Sequence, residues 1–318
     1  MGMDYSRIKG FNYQPSYGSS GLELWLNFDA ATIDLELSRG KHYFPGMNAI
    51  RLWLSEDAFL RDPRRFAANF EASLAIADRH GLAVMPVLFN RWHSDGLDYG
   101  GVYIDHFLPR VSWVQRGRDP GQYLEAVVKA HVRDPRIFCW DLCNEPFSYV
   151  CQPAEIPDIA EAEYAWLRDL HGRCKQLGAA APITIGIHCN HLLEGIAQVE
   201  PICDVLSIHP YYRCGPNADE ASYAANLDSY LGFARQVGKP VLATETCWGY
   251  QDDRERVEII RITLKHLRQR GIGFLVYLLH HSLIADAHRN AYGPGRLNLS
   301  FIEADGSLRP GHEVFNEY

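Results

Sequence analysis

Two short segments of the chain run from an apolar strand pattern directly into a glutamate. The first reads Trp140-Asp141-Leu142-Cys143-Asn144-Glu145-Pro146, and the second Lys239-Pro240-Val241-Leu242-Ala243-Thr244-Glu245-Thr246. In the first, Asn144 adds an amide able to bind a hydroxyl, and Pro146 fixes the turn that aims both side chains. One glutamate at a strand end is ordinarily a solvated surface group, so the weight rests on the pair. The two are 100 residues apart, room for three strand–helix units. Two carboxyl groups facing each other across a cleft are what cleavage of a glycosidic bond requires. One protonates the leaving oxygen and the other meets the anomeric carbon.

The elements that must position this pair repeat along the whole chain. Strand patterns occur at 8–13, 49–54, 83–89, 137–142, 183–187, 205–209, 241–244 and 273–278. Between them lie stretches with helical periodicity. Phe66, Phe70, Leu74 and Ala77 share one face ahead of Gly81, and Leu227, Leu231 and Ala234 precede Gly238. Strand, helix, glycine, strand is the signature of parallel βαβ units. Eight of them predict an α/β fold, a (β/α)8 TIM barrel formed by one domain over 1–318. A doubly wound dinucleotide fold would place Gly-x-Gly-x-x-Gly after the first strand, and no such motif is present. In a barrel the C-terminal strand ends share one rim. Here those ends read Tyr13-Gln14, Arg51, Asn90-Arg91-Trp92-His93, Asn144-Glu145, His188, His209-Pro210-Tyr211, Glu245 and His280-His281. The segments 22–41 and 90–115 read as inserts long enough to wall off one end of a cleft, which favours exo action.

Composition removes other classes. Of 318 residues, 31 are Lys or Arg and 39 Asp or Glu, a net charge of −8 without a basic run. Nucleic acid and anionic membranes are therefore not expected partners. No apolar stretch reaches the roughly 18–20 residues of a membrane span. The first ten residues lack a signal-peptide pattern. The eight cysteines form no Cys-x-x-Cys pair, which fits reduced, mostly buried thiols in a cytoplasmic protein. No nucleotide, flavin or haem motif occurs, so no cofactor is expected. Among fourteen histidines, His188-Cys189-Asn190-His191 and His280-His281 suggest a metal-dependent hydrolase. The His-x-His of such barrels is missing at strand one, and no metal is expected at the glutamates.

The motifs taken together resemble the clan of retaining (β/α)8 glycoside hydrolases, and within it family 5, the cellulase and mannanase family. The likeness spans the chain. Besides Asn144-Glu145-Pro146 and Glu245 it includes Gly10-Phe11-Asn12-Tyr13, Asn48-Ala49-Ile50-Arg51-Leu52-Trp53, Ser207-Ile208-His209-Pro210-Tyr211 and a closing hairpin at Glu303-Ala304-Asp305-Gly306-Ser307-Leu308-Arg309. The resemblance implies that Glu145 is the general acid/base, its pKa raised by burial and by the neighbouring carboxylate. Glu245 would be the nucleophile, kept ionised by Arg51 and the hydroxyl of Tyr211. Asn144 would bind the sugar 2-OH, and His209 would hold Glu145 or the sugar. The implied activity is hydrolysis of β-linked oligosaccharides or glycosides, gluco- or manno-configured, by double displacement.

Two positions depart from that pattern. The tryptophan that usually closes strand eight is replaced, and Tyr277 is the nearest aromatic. The usual histidine after strand three is replaced by Trp92-His93 in a slightly shifted position. Both changes fall where the non-reducing sugar sits. Trp25, Trp92, Trp113 and Trp248 fall in expected rim loops, where flat rings stack on sugar faces. Trp140 and Trp166 read as core, and Trp53 as either. A catalytically inactive carbohydrate-binding barrel is the competing reading. A lectin, however, has no use for a paired acid and nucleophile.

Overall fold

The computed structural model describes residues 3–91, 101–108, 119–148, 153–286 and 299–318. Trp92, His93 and Trp113, and most of the segment 90–115, lie outside them. Eight parallel strands close into a barrel in sequence order: β1 Lys9–Tyr13, β2 Ala49–Trp53, β3 Ala83–Asn90, β4 Trp140–Asn144, β5 Ile183–His188, β6 Leu206–His209, β7 Val241–Ala243 and β8 Gly273–Val276. The ring closes where β8 pairs with β1, Phe11 opposite Val276. The expected (β/α)8 barrel is the observed one.

The strands are buried on both faces, as a parallel sheet enclosed by helices must be. Every residue of β2 and β4 is buried. On the helix side, Phe66, Phe70, Leu74 and Ala77 of the helix Pro63–Arg79 join one continuous apolar cluster with Ile50, Leu52 and Val84. A second cluster, with Ile8, Ala49, Met85, Val205, Leu242 and Leu275, fills the lower barrel interior. Alternation along each strand then sets the next interior layer two residues higher. In β2 the side chain above Ala49 is Arg51, and the one above that is Trp53. The barrel therefore changes from apolar to polar on approaching its C-terminal mouth.

Helix ends follow the expected punctuation. Gly81 and Gly238 both adopt left-handed backbone, φ 67° and 70°, and stop the helices before them. Two expectations are corrected. The segment 22–41 is no insert. It folds as α1 (Gly21–Leu26) and α2 (Ala30–Tyr43), each started by a side-chain cap, Ser20 and Asp29. The fourth strand lies at 140–144 rather than 137–142, with Ile137 making only an isolated bridge to Val84. The apolar run marks burial, whereas the ladder continues beyond 142 through Cys143 to the polar Asn144. The predicted closing hairpin is present as a turn in which Glu303 N–H donates to Ser307 O at 2.8 Å. No helix among the described residues is long and apolar enough to cross a membrane.

Candidate active site

Glu145 is the first residue beyond β4. Its N–H donates to Gly186 O on β5 at 2.9 Å, extending the ladder by one bond. Its own φ is 48° and that of Phe147 is 62°, a conformation that L side chains adopt at a cost of about 1–2 kcal/mol. Ser148 Oγ donates to Glu145 O at 2.6 Å and pins the turn. Strain of this kind collects where a side chain must be aimed. The turn directs the Glu145 carboxyl over the barrel mouth, towards Glu245.

Arg51, fully buried, organises the floor beneath them. Its guanidinium donates to Asp141 Oδ2 twice, at 3.1 and 2.7 Å, to Asn12 Oδ1 at 3.1 Å and to Asn144 Oδ1 at 2.8 Å. It also donates to Glu245 Oε1, while the Tyr211 hydroxyl donates to Glu245 Oε2. Both oxygens of Glu245 thus have a donor. A charge buried this deeply persists only with such partners. Asn12 Nδ2 donates to Thr244 O at 2.9 Å, tying the same network to the residue before Glu245. Asn144 Nδ2 donates to Asn90 Oδ1 at 3.0 Å, which fixes the orientation of that amide. Its second N–H is available to a sugar hydroxyl.

His209 lies between the two carboxylates. Its Nδ1 is 2.5 Å from Glu145 Oε1 and 3.8 Å from Glu245 Oε2, and its Nε2 is 3.0 Å from Thr244 Oγ1. Room for this ring comes from Gly186: a Cβ there would stand 2.6 Å from His209 Nε2 and 3.2 Å from an Arg51 nitrogen. Burial, with Arg51 and His188 nearby, holds His209 well below the ordinary histidine range, so the ring is neutral. One donor or acceptor atom from each of Glu145, His209 and Glu245 lies within 4.8 Å of the others. A cation placed among them would face the Arg51 guanidinium on Glu245, which opposes a metal there.

The two glutamates have different electrostatics. Burial raises the Glu145 carboxyl well above the ordinary range, and the Glu245 charge raises it further. Burial raises Glu245 as well, but the Arg51 cation and the Tyr211 hydrogen bond pull it back. The shared proton therefore belongs on Glu145. This has a consequence for stability. A carboxyl whose folded pKa exceeds its unfolded value holds a proton that the unfolded chain releases, so its contribution to stability falls as pH rises through that window. Glu145→Gln is expected to raise the melting temperature, by about 2 °C for each kcal/mol recovered. The gain should shrink to nothing below about pH 4, where an ordinary Glu is protonated too. Scanning calorimetry of both proteins at pH 4 and pH 7 checks this, and a gain of equal size at both values would contradict it.

Above the network lies a pocket of about 220 Å³ whose wall includes Asn144, Glu145, Tyr211, Glu245, Trp248 and Tyr277. Trp53 joins them, its ring facing the Arg51 guanidinium at 4.7 Å and edge-on to Tyr277 at 6.2 Å. Tyr277 stacks on Trp248 at 5.6 Å, and its hydroxyl donates to Gln14 Oε1 at 3.2 Å. The structure thus brings Arg51, Asn144, Glu145, His209, Tyr211, Glu245, Trp248 and Tyr277 to one place. Trp92 and His93 lie outside the described residues. Trp25 is corrected: it is buried between Phe28 and Phe66, its indole N–H donating to Trp53 O at 3.0 Å. Asp141, Asn12, Gln14, Asn90 and Thr244 received no role from the sequence. An aspartate inside an otherwise apolar strand needs a buried cation, and that signal would have paired Asp141 with Arg51.

No protein-family model matches the chain. It is similar to mannan endo-1,4-beta-mannosidase A of Podospora anserina, 29% identical over 203 residues, covering 57% of this chain and 50% of that protein. The enzyme of the same name from Emericella nidulans is 28% identical over 101 residues, 30% of this chain and 25% of its own. The chain thus spans half or less of these relatives. Among solved structures, GH5_18 from Streptomyces cattleya in complex with GlcNAc superposes with a TM-score of 0.73 at 18% identity, over 98% of this chain and 79% of that one. An exo-beta-1,4-mannosidase from Opitutaceae bacterium strain TAV5 gives 0.71 at 20% identity, over 98% and 58%. The family 5 likeness read from the motifs is borne out by these relatives.

Proposed function

We propose that the chain is a retaining β-glycosidase that hydrolyses short β-linked, manno-configured oligosaccharides or glycosides. The observation that carries this reading is the meeting of two buried carboxylates, one raised in pKa and the other held by a cation. Carboxylate oxygens of Glu145 and Glu245 lie within 4.8 Å of each other. Inverting enzymes keep their carboxyl groups roughly 6.5–9.5 Å apart to admit water, and retaining ones about 5–5.5 Å. In this reading Glu145 protonates the glycosidic oxygen while Glu245 attacks the anomeric carbon. His209, donating from Nδ1 to Glu145 Oε1, leaves the other oxygen of that carboxyl to carry the proton to the leaving group. Water then attacks the glycosyl-enzyme, with Glu145 as base. Asn144 meets the 2-OH, and the rings of Tyr277, Trp248 and Trp53 offer apolar faces to the sugar.

The manno preference is supported by the names of the relatives, a mannosidase in each case. Of the two segments read as walling off a cleft, 22–41 packs as helices with Leu24 lining the pocket, and most of 90–115 lies outside the described residues. Aryl β-mannoside, β-glucoside, β-galactoside and β-xyloside tested in parallel decide the sugar. The mannoside is expected to show the highest kcat/KM. Proton NMR of the first-formed product, before mutarotation, is expected to show the β-anomer. An α-anomer would exclude the double displacement, and turnover of none of the four would exclude the reading.

A further inference from the structure

The pocket wall carries a second group of side chains that glycoside chemistry does not use. Cys189 follows β5 directly, and Cys214 lies in the loop after β6. Their sulfurs are 4.0 Å apart, and Cys189 Sγ is 3.9 Å from His188 Nδ1. The three atoms lie within 4.8 Å of one another. Asn190 N–H donates to His188 Nδ1 at 3.2 Å, so this nitrogen carries the lone pair and the ring proton sits on Nε2. We propose that His188, Cys189 and Cys214 form a site for a soft or borderline cation of the zinc class, set into the wall of the substrate pocket.

The separations suit a metal as they stand. Tetrahedral zinc with Zn–S of about 2.3 Å and Zn–N of about 2.0–2.1 Å holds its sulfurs about 3.8 Å apart, with sulfur to nitrogen about 3.6 Å. The two spacings from Cys189 Sγ exceed these by a few tenths of an ångström, and the third, Cys214 Sγ to His188 Nδ1, is within 4.8 Å. A disulfide needs about 2.05 Å between sulfurs, a far larger contraction. Gly215 packs on Asn190, where a Cβ would stand 2.3 Å from Oδ1, so the two loops are in contact. Asn217 N–H also donates to Cys214 O at 3.0 Å and holds that turn. On binding, each thiol gives up its proton to solvent, and the long Asn190 N–H bond to Nδ1 yields to the cation. His188 and Cys214 line the same pocket as Glu145, so a cation bound by them would stand at the wall of that pocket. Occupancy would then obstruct the cleft, a consequence that rests on the glycosidase reading.

Cobalt(II) added to the reduced full chain is the direct probe. One equivalent is expected to give a thiolate-to-cobalt charge-transfer band and tetrahedral d–d bands, both bleached by Zn²⁺ binding at about micromolar affinity or tighter. Cys189→Ser and Cys214→Ser should each remove the charge-transfer band. Cys214 is on a loop, so its variant decides the matter if Cys189→Ser fails to fold. In turnover assays Zn²⁺ should inhibit the parent, whereas Cys189→Ser keeps its basal rate and loses the sensitivity. The spectroscopic arm does not depend on turnover, so its failure is distinguishable from failure of the glycosidase reading. Absence of the thiolate band in the folded, reduced chain, its persistence in both serine variants, or zinc inhibition without it would overturn the site.

Discussion

Glu245→Ala is expected to lower kcat by roughly four to six orders of magnitude on every β-glycoside the chain accepts. The reason is geometric. Both oxygens of Glu245 are held, one by Arg51 and the other by Tyr211, so this carboxylate is fixed where it lines the pocket, and the Arg51 cation favours its charged form. Asp141 is fully buried beneath Arg51 and cannot reach a substrate. Glu145 holds the shared proton. With Glu245 gone, nothing can form the covalent intermediate, and an activated leaving group gives no relief because protonation is not the missing step. Azide is small enough to enter the space vacated and should restore slow turnover with α-glycosyl azide as product, the anion attacking from the nucleophile's side. Arg51 then keeps Asp141, Asn12 and Asn144 as partners, which preserves the fold. Residual activity within tenfold of the parent would remove Glu245 from the reaction.

The barrel was legible because its signals are local. Apolar strand runs recur eight times, with helical periodicity between them and glycine stops such as Gly81 and Gly238, and each is set by residues within a few positions of one another. The glutamate pair was legible for the same reason, each being attached to its own strand. What stayed hidden is what depends on contacts between strands. Asp141 and Asn144 pair across the barrel with Arg51, 90 and 93 residues away, and this long-range neutralisation is what permits polar residues inside β4. The apolar run before Trp140 extends the expected strand to 137, while the ladder itself begins at Trp140 and runs to Asn144. Trp25 failed in a related way. Its segment has few signals beyond the caps Ser20 and Asp29, and with the helix unseen the indole was assigned to a rim rather than to the space between Phe28 and Phe66. Gly186 illustrates the remaining limit. Only the packed ring of His209 reveals why no side chain fits at that position.

Glu145→Ala should behave differently from the nucleophile variant, and the difference assigns the roles. In the proposed mechanism Glu145 first protonates the leaving oxygen and afterwards deprotonates the attacking water. An aryl glycoside with an activated leaving group departs without a proton, so its first step should survive. Loss of the base should then slow release of the glycosyl-enzyme by roughly 10²–10⁴-fold, leaving a burst of the phenol followed by a slow steady state with a lowered KM. Substrates with a sugar leaving group lose both steps and should show no burst. Azide needs no base, so it should accelerate the slow phase and give β-glycosyl azide, opposite in configuration to the azide product of the Glu245 variant. The pH profile offers a further check. In the parent, the alkaline limb of kcat/KM should lie above the ordinary carboxylate range, where burial and the Glu245 charge hold the Glu145 proton. With Glu145 removed and an activated substrate supplied, that limb should vanish. Its persistence would mean that another group supplies the proton, and His209, held neutral by burial and Arg51, would be the residue to test next.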